Sequence, residues 1–267
     1  LGFLLIFMVI YAMFNGAFVR TLEFLFAPDF SSVTAETFLS AMGQAFFSLS
    51  LGMGSIMAYG AYMPKDQKVV PTSFTVASLD TLVAMLAGLA IFPIIFVFNL
   101  EPNSGPGLVF VSMLSAFNQM QFGQIIGTFF FILLSIAALS SSISLLEPGV
   151  AYLSEEGFLS RKYAALAISF FAWSLGIGTA LSFNLLSEFN LTPGRNFLDS
   201  MDFIANQILL PLGGMMIAIF VGWFMNKELI INEVGRHINP VIYKLWRFFI
   251  KFIAPISVAS IFISQIL

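Results

Sequence analysis

Charge is what this chain of 267 residues has least of: Asp, Glu, Lys and Arg together make up 9% of it, against about 25% in a soluble domain. A water-soluble globule is therefore excluded. No charged side chain occurs between Pro102 and Leu146, and residues 163–187 and 203–226 are also charge-free, each stretch long enough to supply the roughly 20 apolar residues that cross a bilayer. Cysteine is absent, which excludes disulfides, thiolate metal sites and cysteine nucleophiles. The few basic residues are dispersed and the formal net charge is -3, so no phosphate-binding surface forms and nucleic acid is not an expected partner. The single histidine, His237, falls in a loop, and neither an HExxH zinc motif nor a GxSxG elbow occurs. Asp80 and Asp202 lack the YD and GxGD settings of intramembrane aspartyl proteases. No enzymatic chemistry is expected.

What is present is apolar: 59% of the chain is hydrophobic, which gives an all-α polytopic membrane protein. Polar and Gly/Pro-rich stretches separate seven expected spans, at 1–19, 38–63, 71–98, 121–153, 161–182, 199–226 and 241–267. Alternate loops hold Lys65, Lys68, Arg161, Lys162, Lys227, Arg236, Lys244 and Arg247, while the other three hold only Arg20 and Arg195. The first set is cytoplasmic by the positive-inside rule. The external stretch 99–120 is broken by Pro102, Gly105, Pro106 and Gly107 before an apolar segment resumes, as either a re-entrant lid or an ordinary surface loop would be. The sequence opens inside one apolar run and closes inside another, so it reads as a fragment.

Three clusters do not belong in plain membrane helices. Asp80 lies nine residues after Pro71, about 14 Å into its span. A carboxylate there costs at least ~2.5 kcal/mol, so it faces an ion, a partner or a wet cavity, or else it glues helices as a hydrogen-bonded acid. In the second span, Ser48, Ser50, Gly52, Gly54 and Ser55 cluster at mid-membrane. Ser48 with Gly52 and Ser50 with Gly54 fit small-residue helix packing, and the same cluster fits a discontinuous helix whose freed backbone groups line a site. In the fourth span, Ala137 and Ala138 precede Ser140, Ser141 and Ser142. Their hydroxyls suit either back-bonding to helix carbonyls or oxygen coordination of a hard cation. A channel is the rival class, though no TVGYG-like filter or ring of like charges occurs.

Taken together, GQAFFSLSLGMGSIMAYGAYMPKD (43–66), GPGLVFV (105–111), ALSSSISLLEP (138–148), LDSMDF (198–203) and NPVIYKLWRFFIKFIAP (239–255) resemble the second half of a neurotransmitter:sodium symporter, in register over nearly the whole chain. The resemblance implies the LeuT-like fold of two inverted five-helix repeats. This chain would supply the end of helix 5 (1–19), a broken helix 6 (38–63), helix 7 (71–98), a lid loop, helix 8 (121–153), helix 9 (161–182), helix 10 (199–226) and helix 11 (241–267). Helices 1 to 4 would lie in a missing N-terminal half. The implied substrate is an amino acid or related amine, lined by Phe47, Ser48, Ser50 and Met53 with Ser141 and Leu145 facing them. Carbonyls of Phe47 and Ser50 would accept its ammonium group. Co-transported sodium, with no organic cofactor, would sit at Ser48 and Asp80, and at the Ala137 carbonyl with the Ser140 and Ser141 hydroxyls. Asp202 matches an external-gate acid. Gln44 and Ser48 remain of an anion site, but Ala84 stands where chloride-dependent relatives carry serine. The implied setting is a plasma or bacterial inner membrane, with transport by alternating access, independent of chloride because Asp80 is a fixed anion. Met53, an adaptable side chain between two glycines, suits large hydrophobic or aromatic substrates, or else fills space against helix 3.

Overall fold

The chain is seen here in a computed structural model that describes residues 1–64, 66–102, 107–235 and 238–266. Lys65, Arg236 and His237, and Gly105 and Pro106 of the external motif, lie outside them. Almost all regular structure is helical: α1 Gly2–Asn15, α2 Phe18–Phe26, α3 Ala35–Ser48, α4 Ser55–Ala61, α5 Val69–Val97, α6 Met113–Gln119, α7 Gly123–Glu155, α8 Arg161–Ala180, α9 Phe197–Asp202, α10 Leu210–Ile219, α11 Lys227–Glu233, α12 Pro240–Phe248 and α13 Ala254–Ile266. Among the described residues, Val69–Val97, Gly123–Glu155, Arg161–Ala180 and Phe197–Phe224 are each long and apolar enough to cross a membrane. At 1.5 Å per residue, the 29 residues of α5 span about 44 Å, more than the bilayer's hydrocarbon thickness.

The helices divide into two compact units, Leu1–Val33 with Thr75–Ser142 and Thr34–Phe74 with Ile143–Leu267. In the first unit α1, α5, α6 and α7 each contribute a stripe of buried residues, spaced mostly by three and four, as helical periodicity dictates. Leu5, Met8 and Ala12 of α1 meet Ala90 and Ile94 of α5, Met113, Ala116 and Phe117 of α6, and Ile126, Phe130 and Leu133 of α7. The chain turns by 114° between α1 and α2. Gly16 makes that turn possible: a Cβ there would lie 2.5 Å from the Pro93 Cβ, and the next amide, Ala17, donates to the Pro93 carbonyl at 3.0 Å.

In the second unit α10 packs along α13 and against α3. Pro211 at the start of α10 has no amide to donate, and the chain just before it, Phe203–Leu209, runs as a π turn. A second π turn, Phe220–Phe224, meets a third, Phe249–Ile253. Arg247 donates to the Val221 and Gly222 carbonyls, each at 3.2 Å, and Trp223 donates back to the Lys251 carbonyl at 3.3 Å. The Arg247 guanidinium and the Trp223 indole thus satisfy backbone carbonyls that π geometry would leave poorly bonded.

Candidate functional site

The second unit holds the Gly/Ser cluster. Thr34 opens α3 with a capping box, accepting from the Thr37 amide at 3.2 Å while its own amide donates to the Thr37 hydroxyl at 3.2 Å. The helix closes at Ser48, where the Ser50 amide bonds the Phe47 carbonyl at 3.0 Å and the Leu51 amide bonds the Phe46 carbonyl at 2.9 Å. This is a Schellman closure, and it requires a left-handed residue after the cap. That residue is Ser50, at φ 52°, where glycine is usual; a side chain there costs on the order of 1 kcal/mol. Gly52 at φ 91° and Gly54 at φ 83° carry the chain on to α4.

The break therefore consists of six residues, 49–54, between two helices, with peptide groups not committed to a helical ladder. The carbonyls of Phe47 and Ser50 each accept one amide, the latter from Met53 at 3.4 Å, and a carbonyl oxygen has a second lone pair for another donor. Phe47 is 46% and Leu145 47% exposed, while Ser48, Ser50 and Met53 are half-buried. Gln44 lies one turn before Ser48 on α3 and is exposed.

Two ties bring α4 to the part of α7 that carries Leu145. The Tyr59 hydroxyl shares a 2.6 Å hydrogen bond with Ser144, and the Tyr62 hydroxyl donates to Glu147 at 2.9 Å. Arg161 reaches both oxygens of the same carboxylate at 2.8 Å. The partners of Glu147 thus come from the end of α4 and from α8, and Pro148 lies against Gly54, where a Cβ would sit 3.3 Å from the ring.

Asp202, the last residue of α9, is exposed and accepts from Asn206 Nδ2 at 2.6 Å. The loop before it is pinned by two fully buried hydroxyls. Ser182 accepts from the Leu198 amide at 2.8 Å, and Ser200 accepts from the Thr192 amide at 3.1 Å while donating to the Arg195 carbonyl at 3.2 Å. Arg195 is thereby laid over the Phe203 ring at 4.0 Å, one residue past Asp202.

The remaining residues belong to the first unit. Asp80 is half-buried on α5, and Ala84, one turn on, is exposed. On α7 the Ser140 hydroxyl donates to the Ala137 carbonyl at 2.8 Å, and Ser142 does the same to Leu139 at 2.9 Å. Ser141 is exposed on the same turn. The Ser140 hydroxyl thus back-bonds to the carbonyl three residues earlier, and the bond leaves two oxygens 2.8 Å apart, close enough to bracket one cation. Among the described residues no group of three or more His, Cys, Asp or Glu could hold a metal.

What sequence reasoning missed is the seat of the break. A Cβ on Gly52 would overlap the Leu210 carbonyl oxygen and lie 2.6 Å from the Gly214 amide nitrogen, and one on Gly213 would overlap the Gly52 carbonyl. The Gly213–Gly214 pair in the charge-free run 203–226 was the available signal.

A profile of the Sodium:neurotransmitter symporter family matches residues 2–267. The sodium-dependent transporter YhdH of Bacillus subtilis is 32% identical over 94% of this chain and 56% of its own length. The sodium-dependent nutrient amino acid transporter 1 of Drosophila persimilis is 27% identical over 84% of this chain and 34% of its own. The crystal structure of MhsT in complex with L-phenylalanine superposes with a TM-score of 0.85 at 44% identity, covering 99% of this chain and 60% of MhsT. The chain thus spans little more than half of YhdH or MhsT.

Proposed function

This chain belongs to the sodium:neurotransmitter symporter family, a family of integral membrane transporters and not of enzymes, and on that premise we propose that it is the C-terminal part of a sodium-coupled amino-acid symporter working by alternating access. The observation that carries this is the likeness to MhsT, bound to L-phenylalanine, over 99% of the chain. In this proposal α3 and α4 are the two halves of helix 6 in the second inverted repeat. α5, α7 and α8 are helices 7 to 9, the α9–α10 run is helix 10 and α12–α13 is helix 11, with a lid at 99–120. Helices 1 to 4 belong to a part of the protein outside these residues. The membrane is the plasma membrane or a bacterial inner membrane.

The substrate ammonium group is met by backbone carbonyls of the break, at the negative end of the α3 dipole. Phe47, Ser48, Ser50 and Met53 with Ser141 and Leu145 line its side chain. One sodium ion lies at Ser48 and Asp80, another at Ala137, Ser140 and Ser141, and Asp202 is an external-gate acid. No organic cofactor takes part. Gln44 and Ala84 mark a vestigial anion site, and transport is chloride-independent.

The preferred substrate is a large hydrophobic or aromatic amino acid. Phe47 and Leu145 offer apolar surface, Met53 adapts its shape, and the phenylalanine held by MhsT is of this class. In a competition series from glycine to tryptophan on the full-length protein, the largest side chains should compete best. Met53→Phe should weaken them by about tenfold, the cost of overpacking by one or two kcal/mol, while sparing alanine. Glycine or alanine competing best would refute the preference, and an unchanged ranking in Met53→Phe would remove position 53 from it.

A further inference from the structure

We propose that Gly213 and Gly214 of α10 are positioning residues for the substrate site, because they are the surface on which the break in the α3–α4 segment is seated. The proposal rests on the function proposed above. Three glycines from two remote segments meet backbone to backbone. A Cβ on Gly213 would overlap the Gly52 carbonyl oxygen and come within 3.1 Å of its carbon, and one on Gly52 would overlap the Leu210 carbonyl oxygen. None of these neighbours is the yielding end of a flexible side chain. Gly52 is also left-handed, at φ 91°, so it cannot be exchanged without strain. A Cβ on Gly214 would meet the Phe46 ring, 2.7 Å from Cε1. Phe46 is the residue whose carbonyl closes α3 through the Leu51 amide.

These contacts hold the break at two points. Gly213 bears on its apex, at the residue before Met53, and Gly214 bears on the end of α3, at the residue before Phe47. In a bilayer such close approach is what small residues are for, since no hydrophobic effect holds helices together there and backbone proximity brings dispersion and weak Cα–H···O contacts. A methyl at either position must lift the break off α10, and the carbonyls and side chains of residues 47–53 move with it.

The remaining glycine of this helical run is the control. Gly222 also faces a neighbour closely, with a Cβ lying 3.3 Å from the Lys251 Cα, but its contact is with the π turn after α12, away from the break. The test uses the full-length protein in proteoliposomes. Gly213→Ala and Gly214→Ala should each raise the KM for L-phenylalanine about tenfold or more, as a displacement of order 1 Å does at a preorganised site, at protein levels close to wild type. Gly222→Ala should leave KM unchanged. Adding Phe46→Leu to Gly214→Ala frees the space that the methyl needs and should restore KM. A second measurement does not depend on transport. These residues contain no cysteine, so Leu51→Cys, with any cysteine elsewhere replaced, reports maleimide labelling at the break. Its labelling rate should change at least about threefold in Gly213→Ala and Gly214→Ala but not in Gly222→Ala. An unmoved KM in both variants, an equal shift in Gly222→Ala, or an unaltered labelling rate would overturn the proposal. Absence of sodium-driven uptake in the wild type would instead overturn the proposed function, with the labelling still deciding the seat.

Discussion

Asp80→Asn is expected to lower the apparent sodium affinity of the full-length protein about a hundredfold, and replacement of chloride by gluconate is expected to leave wild-type uptake unchanged. Both outcomes come from one electrostatic requirement. Two sodium ions beside a zwitterionic amino acid leave uncompensated positive charge in a poorly solvated site, and at 4 Å an opposite unit charge offsets about 4 kcal/mol at an effective dielectric of 20. Every 1.4 kcal/mol is about a factor of ten, and relaxation of the site absorbs the rest. In the proposed site Asp80, well inside a helix that can span the membrane, would supply that charge from the protein itself, so no mobile anion would be needed. Chloride should not restore Asp80→Asn, because Ala84 brings a methyl group where chloride-dependent relatives bring a hydroxyl. Loss of wild-type uptake on chloride removal, or unchanged sodium activation in Asp80→Asn, would contradict this account of Asp80.

Ser140→Ala carries the second large effect: the sodium concentration for half-maximal uptake should rise about tenfold or more, with the amount of protein in the membrane unchanged. A hydrogen bond or ligand contact involving a charge is worth about 1.5–3 kcal/mol, whereas the bond from Ser140 to the Ala137 carbonyl is an addition to a helix ladder that persists without it. The helix should therefore survive the substitution, and the proposed cation site should not. Ser142, which makes the same kind of back-bond to Leu139, is the internal comparison: Ser142→Ala should leave sodium activation at the wild-type value. Equal behaviour of the two variants would mean that both hydroxyls serve the helix alone.

The family was legible in the sequence because its motifs depend on local chemistry. Two glycines and three serines within Ser48–Ser55 weaken a helix wherever they occur, and the chain does leave helical geometry between Ser48 and Ser55. Apolar runs without charge announce membrane helices for the same reason, since hydropathy is a property of contiguous residues. What lay beyond reach depends on pairs of residues far apart along the chain. Glu147 could be seen as polar beside Pro148, but nothing local named Tyr62 and Arg161 as its partners. Gly213 and Gly214 could be seen as a small-residue pair in an apolar run, but nothing local named Gly52, in the break between α3 and α4, as the residue seated on them. The serine cluster of α7 was ambiguous in sequence because back-bonding and cation coordination use the same hydroxyls, and its geometry, with Ser140 and Ala137 oxygens 2.8 Å apart, suits both.

Sodium-coupled amino-acid transport is measured most directly as uptake of radiolabelled L-phenylalanine by the full-length protein in proteoliposomes, with and without an inward sodium gradient. Phenylalanine should accumulate above the external concentration while the gradient lasts, and the accumulation should collapse when potassium replaces sodium or an ionophore dissipates the gradient. Uptake that proceeds equally in the absence of sodium, or that stops at equilibration in its presence, would contradict it.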